Sequence, residues 1–294
     1  FSGNANWNVG IGTTNPDISV GVGNTAKLSV GIVSAYQLYG DGQYLTNVSS
    51  ASTDAWAPDS KENLVAGTGA GAARDADTCF NIMIGCNAGA ALNAGDKNIL
   101  MGEHAGKALT SGSRNIIFGV NGACNVLTSQ NDNVFIGSYT GIYQASSDNI
   151  AIGNQAAIKC FTAGENVAIG KMAGCGGSGT TLSATTNVFV GKYAGRNITS
   201  GDSNVFLGER AGGQAEVTGD YNIALGKCSA ASLTSGSENI FLGCGAGGTG
   251  TMTADHNIGL GVEAGRKITS GAQNVHIGYK PAAELTTASG TVYI

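Results

Sequence analysis

The chain has 294 residues, among them 48 glycines and 3 prolines, with 12% charged residues and a formal net charge of −5. Glycine without a strict every-third spacing excludes collagen, and a hydrophobic content of 42% excludes a disordered chain, which leaves a turn-rich β protein. Mild acidity with no run of Lys or Arg offers no footprint for nucleic acid, and no apolar stretch reaches the roughly 20 residues of a membrane-spanning helix, so neither nucleic-acid binding nor membrane insertion is expected.

In chain order, residues 1–60 come first and follow their own plan. Asn8-Val9-Gly10-Ile11-Gly12 is followed by Lys27 to Gly31 and by Gly40-Asp41-Gly42-Gln43-Tyr44-Leu45-Thr46-Asn47, which keep no common register. This part reads as a small N-terminal β module or shaft connector, joined to the rest through the polar stretch Ser49 to Lys61. The opening at Phe1, with neither an initiator Met nor a signal-peptide pattern, reads as a soluble fragment or processed product.

Residues 61–294 are a repeat array. The pattern Asn, aliphatic, any residue, apolar, Gly begins at Asn63, Asn81, Asn98, Asn115, Asn133, Asn149, Asn166, Asn187, Asn204, Asn222, Asn239, Asn257 and Asn274, with glycine four residues on every time, from Gly67 to Gly278. The mean period near 17.6 residues is too short for helical-pair, leucine-rich or propeller repeats and suits one coil of a solenoid. The long step before Asn187 marks an inserted loop, Cys175 to Thr186. Ala-Gly pairs such as Ala105-Gly106 and Ala211-Gly212 follow, and then Leu/Ile-Thr-Ser-Gly segments such as Leu109 to Gly112. Each unit is read as strand, glycine corner, short strand, glycine corner. The expected fold is therefore all-β, a parallel β-solenoid of about thirteen coils of 17–18 residues.

Strand side chains alternate between faces. The positions one and three after Asn, aliphatic in nearly every coil, are assigned to the inner core. The position between them is then outward, and it is apolar as well: Met83, Leu100, Ile117, Phe135, Phe189, Phe206 and Phe241, with the smaller Ala151, Ala168 and Ala224, and His276. A row of exposed Phe would be an aggregation hazard, so this column is expected to form an oligomer interface. The Asn column is read as a structural ladder of stacked amides, with Asn and Gly both suited to left-handed corners.

Asn8-Val9-Gly10-Ile11-Gly12-Thr13-Thr14-Asn15-Pro16 resembles a segment recurrent in bacteriophage tail fibres. Gly31-Ile32-Val33-Ser34-Ala35, leading to Gly40-Asp41-Gly42-Gln43-Tyr44-Leu45-Thr46, is similar to a module of tail-fibre-like proteins of marine cyanophages. The repeats from Asn63 resemble those of the same proteins and, more distantly, the head repeats of trimeric autotransporter adhesins. The resemblance implies an intertwined homotrimer, located in a virion or outside the cell, with other fibre proteins and a host surface receptor such as a glycan as partners. A bacterial surface adhesin or extracellular filament is the alternative.

No chemistry stands out. His104, His256 and His276 have neither metal-ligand nor Ser-His-Asp spacing, so no cofactor or metal is expected. Asp132, Asp148, Glu165 and Glu238 precede the repeat Asn, but the calcium-binding nonapeptide pattern is absent and they read as solvated turns. Polysaccharide depolymerases need paired carboxylates, and here Asp and Glu lie scattered at corners. Ice binding needs a flat two-column Thr array, whereas Thr110, Thr199, Thr234 and Thr269 are flanked by Leu or Ile and Ser. The seven cysteines contain no C-x-x-C pair, and Cys228 and Cys244, 16 residues apart, are close enough to one coil for a disulfide to be considered. The chain is read as non-enzymatic, with exposed loops, above all Cys175 to Thr186, as candidate receptor contacts.

Overall fold

A computed structural model describes residues 58–125, 128–143, 145–158, 164–176 and 183–294, all within the second of the chain's two units, Thr53–Ile294. The expected β module lies outside the described residues except for residues 58–60. The described residues form a β-solenoid of about thirteen turns without any helix. Fourteen short strands, from Leu64–Ala66 to Val292–Tyr293, make one parallel sheet in sequence order. Each strand has three residues except the last, which has two.

Register is uniform because every coil repeats the same corner chemistry. Val188 pairs with Val205, Phe189 with Phe206 and Val190 with Leu207, and the equivalent positions pair along the whole array. The short segments after the Ala-Gly pairs do not form a second sheet. Only two isolated parallel bridges occur there among the described residues, Ile198 with Val217 and Leu233 with Met252. The tight turns on either side leave room for a single rung.

The face assignment is reversed from the sequence expectation. The middle strand residue points into the coil: Met83, Leu100, Ile117, Phe135, Ala151, Phe206, Ala224 and Phe241 are fully buried within one chain, and Ala168, Phe189 and His276 nearly so. They form the core together with an alanine seven residues after the Asn, as at Ala105, Ala194 and Ala211, and a Leu or Ile eleven after it, as at Leu92, Leu109 and Leu233. A three-residue strand sends one side chain one way and two the other. The coil is narrow, so only the single central side chain fits inside; the two flanking columns face out, and Phe118, Ile136, Ile150 and Ile223 are each more than a third exposed.

Core volume is balanced within most coils, and between neighbours where Gly174 and Gly259 make room for the rings of Phe189 and Phe241. The glycine eight residues after Asn packs onto the middle side chain, and Gly141, Gly195, Gly212 and Gly247 each lie against a Phe ring of their own coil. Where the middle residue is Ala151 or Ala224, that glycine is replaced by Ala157 or Ala230, and the added methyl fills the space the ring leaves. Phe189 and Phe206 lie on adjacent rungs with centroids 5.6 Å apart.

Two backbone features fix the corners. The glycine that follows each of the first thirteen strands has φ of 122–139°, from Gly67 to Gly278, and a Cβ there would in most coils meet the backbone of the next coil's glycine. The residue before each repeat Asn is left-handed although it is never glycine, for example Lys97, Tyr221 and Glu238 at φ near 57°. The corner therefore uses the residue before the Asn for its left-handed turn, and the Asn itself stays outside that region, contrary to expectation. Its amide must point inward to bond, and the preceding residue takes up the change in direction.

Candidate functional site

The thirteen asparagines form a continuous buried ladder. The backbone N–H of each after Asn63 donates to the Oδ1 of the Asn one coil before, as at Asn81 to Asn63 (2.9 Å), Asn98 to Asn81, Asn115 to Asn98, Asn133 to Asn115, Asn149 to Asn133 and Asn166 to Asn149. The series continues through Asn187, Asn204, Asn222, Asn239, Asn257 and Asn274, and ends where Thr291 donates to Asn274. Nδ2 in most coils also reaches a carbonyl on the far side of the same coil, such as Gly236 from Asn222 at 2.9 Å. Each amide thus couples one coil to the next and closes its own coil, which makes the column scaffolding.

Met83, Leu100, Ile117, Phe135, Phe189, Phe206, Phe241 and His276 were expected between chains. Being enclosed by their own coils, they cannot serve as an interface. The surface that remains is the outward sheet face. Its first column runs Leu64, Ile82, Ile99, Ile116, Val134, Ile150, Val167, Val188, Val205, Ile223, Ile240, Ile258 and Val275. Its second runs Ala66, Ile84, Met101, Phe118, Ile136, Ile152, Ile169, Val190, Leu207, Leu225, Leu242, Leu260 and Ile277. All of these residues are apolar. Sequence reasoning missed this face because both faces of each strand are apolar, so alternation gave no contrast.

The histidines have separate roles. His104 bridges the side chains of Asn87 and Asn121 along one corner, and His256 lies 3.3 Å from Glu238 along another. His276 sits in the core against Tyr293, ring centroids 5.6 Å apart, with neither ring nitrogen hydrogen-bonded. Burial holds its pKa below the ordinary value near 6.5. The unfolded chain therefore binds a proton that the folded chain refuses as pH falls through that value. Stability is full above pH 6.5 and lost progressively below it, down to the folded pKa. Melting of the wild type is expected to drop between about pH 7.5 and about pH 5 by more than in His276→Leu. Equal drops in the two proteins would show that His276 stays uncharged or finds a partner.

The remaining candidates resolve into local bonding. Asp132 accepts a bidentate pair from Arg114 (2.6 and 2.7 Å), which holds its carboxyl below the usual range. Thr110, Thr199, Thr234 and Thr269 each turn their hydroxyl onto a carbonyl of the next coil. Cys79, Cys86, Cys124, Cys228 and Cys244 are free thiols, and Cys160 lies outside the described residues. Because Gly226 and Gly243 share a register, Cys228 is level with Gly245 and Cys244 with Lys227, so the two thiols are one position out of phase. Residues 177–182 of the inserted loop lie outside the described residues. Among the described residues no three His, Cys, Asp or Glu side chains gather as a metal site. No protein-family profile, curated protein or solved structure matches the chain.

Proposed function

We propose that the chain is a structural subunit of a fibre, assembled as a homotrimer through its outward sheet face and carried on a virion to attach it to a host cell. The observation that carries this reading is the two-column apolar face, which runs uninterrupted and without a charge over thirteen rungs. Left in water, so long an apolar strip would invite uncontrolled association. Thirteen rungs at about 4.8 Å and three residues at about 3.3 Å give a footprint of roughly 600 Å² per copy. Two such faces reach roughly 1,200 Å², the lower bound of a stable specific interface. Two columns per strand also suit a threefold ring, in which the first column of one copy meets the second column of the next. The tail-fibre-like motifs of residues 8–16 and 31–46 support the virion setting.

The variant Ile240→Asp/Leu242→Asp tests the assembly. Both side chains lie outside the coil, so the fold should survive by circular dichroism while light scattering reports a monomer. Phe241→Asp, between them, should instead unfold its coil, because its ring is fully buried. A trimer retained by the double variant overturns the interface. Detection of the chain in purified virions, against its detection in a cell-envelope fraction, tests the setting.

A further inference from the structure

Resting on that reading, we infer that the corner around Tyr193 binds an acidic polysaccharide, through a cluster of cations that no carboxylate among the described residues neutralises. Tyr193 lies two residues past Gly191, which follows its strand, and therefore beyond the apolar columns. Its ring gathers three cations: Lys192 Nζ at 5.2 Å from the centroid, Arg196 Cζ at 5.1 Å and Arg210 Cζ at 5.9 Å. Arg210 comes from the following coil, where its N–H donates to the carbonyl of Lys192, and Lys171 of the preceding coil accepts from the N–H of Tyr193.

Lys171, Lys192, Arg196 and Arg210 form no ion pair with any carboxylate among the described residues, whereas other cations of the array do, such as Arg114, Arg266, Lys267 and Lys280. The one acid within this corner, Glu209, faces Lys227 at 3.7 Å. Five cations therefore meet one carboxylate along four successive coils of a chain whose net charge is −5. Mutual repulsion would spread these side chains; the negative face of the Tyr193 ring holds three of them together. An anion docked there relieves the repulsion, and the two guanidinium groups offer planar, forked donors suited to carboxylate or sulfate.

Geometry favours a linear sugar polymer. Lys171, Lys192 and Arg210 climb the rod one per coil, at a rise of about 4.8 Å. That rise is close to the length of one pyranose residue, so successive acidic sugars meet successive cations. Single-stranded nucleic acid would need a series of free aromatic platforms, and here one ring is already flanked by cations. Three copies in a fibre would present three such corners, which adds avidity without new contacts.

The test uses the full chain, a polyuronate oligosaccharide and a sulfated oligosaccharide as probes, and neutral dextran and a single-stranded oligonucleotide as comparisons. Titration calorimetry at low salt should show binding of one or both acidic sugars and none of dextran. Arg196→Ala/Arg210→Ala should weaken that binding at least tenfold, and Arg114→Ala/Lys267→Ala, at other corners, should leave it unchanged. Equal loss in both variants, no binding by the wild type, or tighter binding of the oligonucleotide overturns the assignment. Light scattering on the same samples separates the two readings. A monomer that binds the sugar refutes the assembly and keeps the corner, whereas a trimer that ignores it refutes the corner alone.

Discussion

Replacing Gly208 by alanine is expected to cost about 4 kcal/mol or more, because a left-handed φ outside the alanine range strains the residue by roughly 1–3 kcal/mol and the new methyl must also pry two coils apart. At φ 134°, the added Cβ would lie 2.6 Å from the carbonyl oxygen of Gly226, and that obstacle is backbone, which cannot rotate away. Gly106→Ala provides the contrast. Its φ is 57°, its Cβ would meet the flexible ends of Leu100 and Ile117, and Ala123, Ala157 and Ala230 already occupy the equivalent position. That change should cost about 1–2 kcal/mol. Urea unfolding of the two variants ranks them, and equal midpoints would refute the account of the glycines that follow the strands.

Asn222→Ala should cost about 3–5 kcal/mol, since each buried group left unpaired carries a penalty of roughly 1–3 kcal/mol. The Asn222 amide donates to Asn204 Oδ1, Asp220 O and Gly236 O, and its Oδ1 accepts from both the backbone and the side chain of Asn239. Truncation strands the carbonyl of Gly236 and the amide of Asn239, both inside the solenoid. Hydrogen exchange at the Asn239 amide should accelerate strongly in the variant while amides several coils away keep their protection, because each coil touches only its neighbours. A loss below about 1 kcal/mol would mean that water enters and replaces the amide.

The thirteen coils, their period and their parallel stacking were legible because Asn and Gly recur at fixed offsets for reasons that operate within each coil. The direction of the strand faces was not. Val205, Phe206 and Leu207 are all apolar, so hydrophobicity could not say which of them points inward, and the two-to-one majority pointed the wrong way. A volume argument would have succeeded. The middle position ranges from Gly259 to Phe241; every Phe there has a glycine six residues further on, Ala151 and Ala224 have Ala157 and Ala230, and Gly174 and Gly259 make room for the Phe189 and Phe241 rings of neighbouring coils. Only side chains that share a closed interior need such compensation; the flanking columns face open space and stay uniformly Val, Ile or Leu in most coils. The Tyr193 corner was illegible for another reason. Lys171, Lys192, Arg196 and Arg210 are spread over 40 residues of sequence, and only the coil rise brings them together.

The pairing of each Phe with a glycine of its own coil also bears on how such rods change length. Because the compensating partner travels with the ring, a stretch such as 187–203 can be duplicated or excised as a block without leaving a hole or an overlap inside it. The ladder of Asn amides accepts any neighbour that ends in the same corner. Unequal crossing-over between repeats in the gene would then alter reach in steps of about 4.8 Å, one coil at a time, while preserving a folded product. Length in this architecture is a heritable variable that can drift separately from stability.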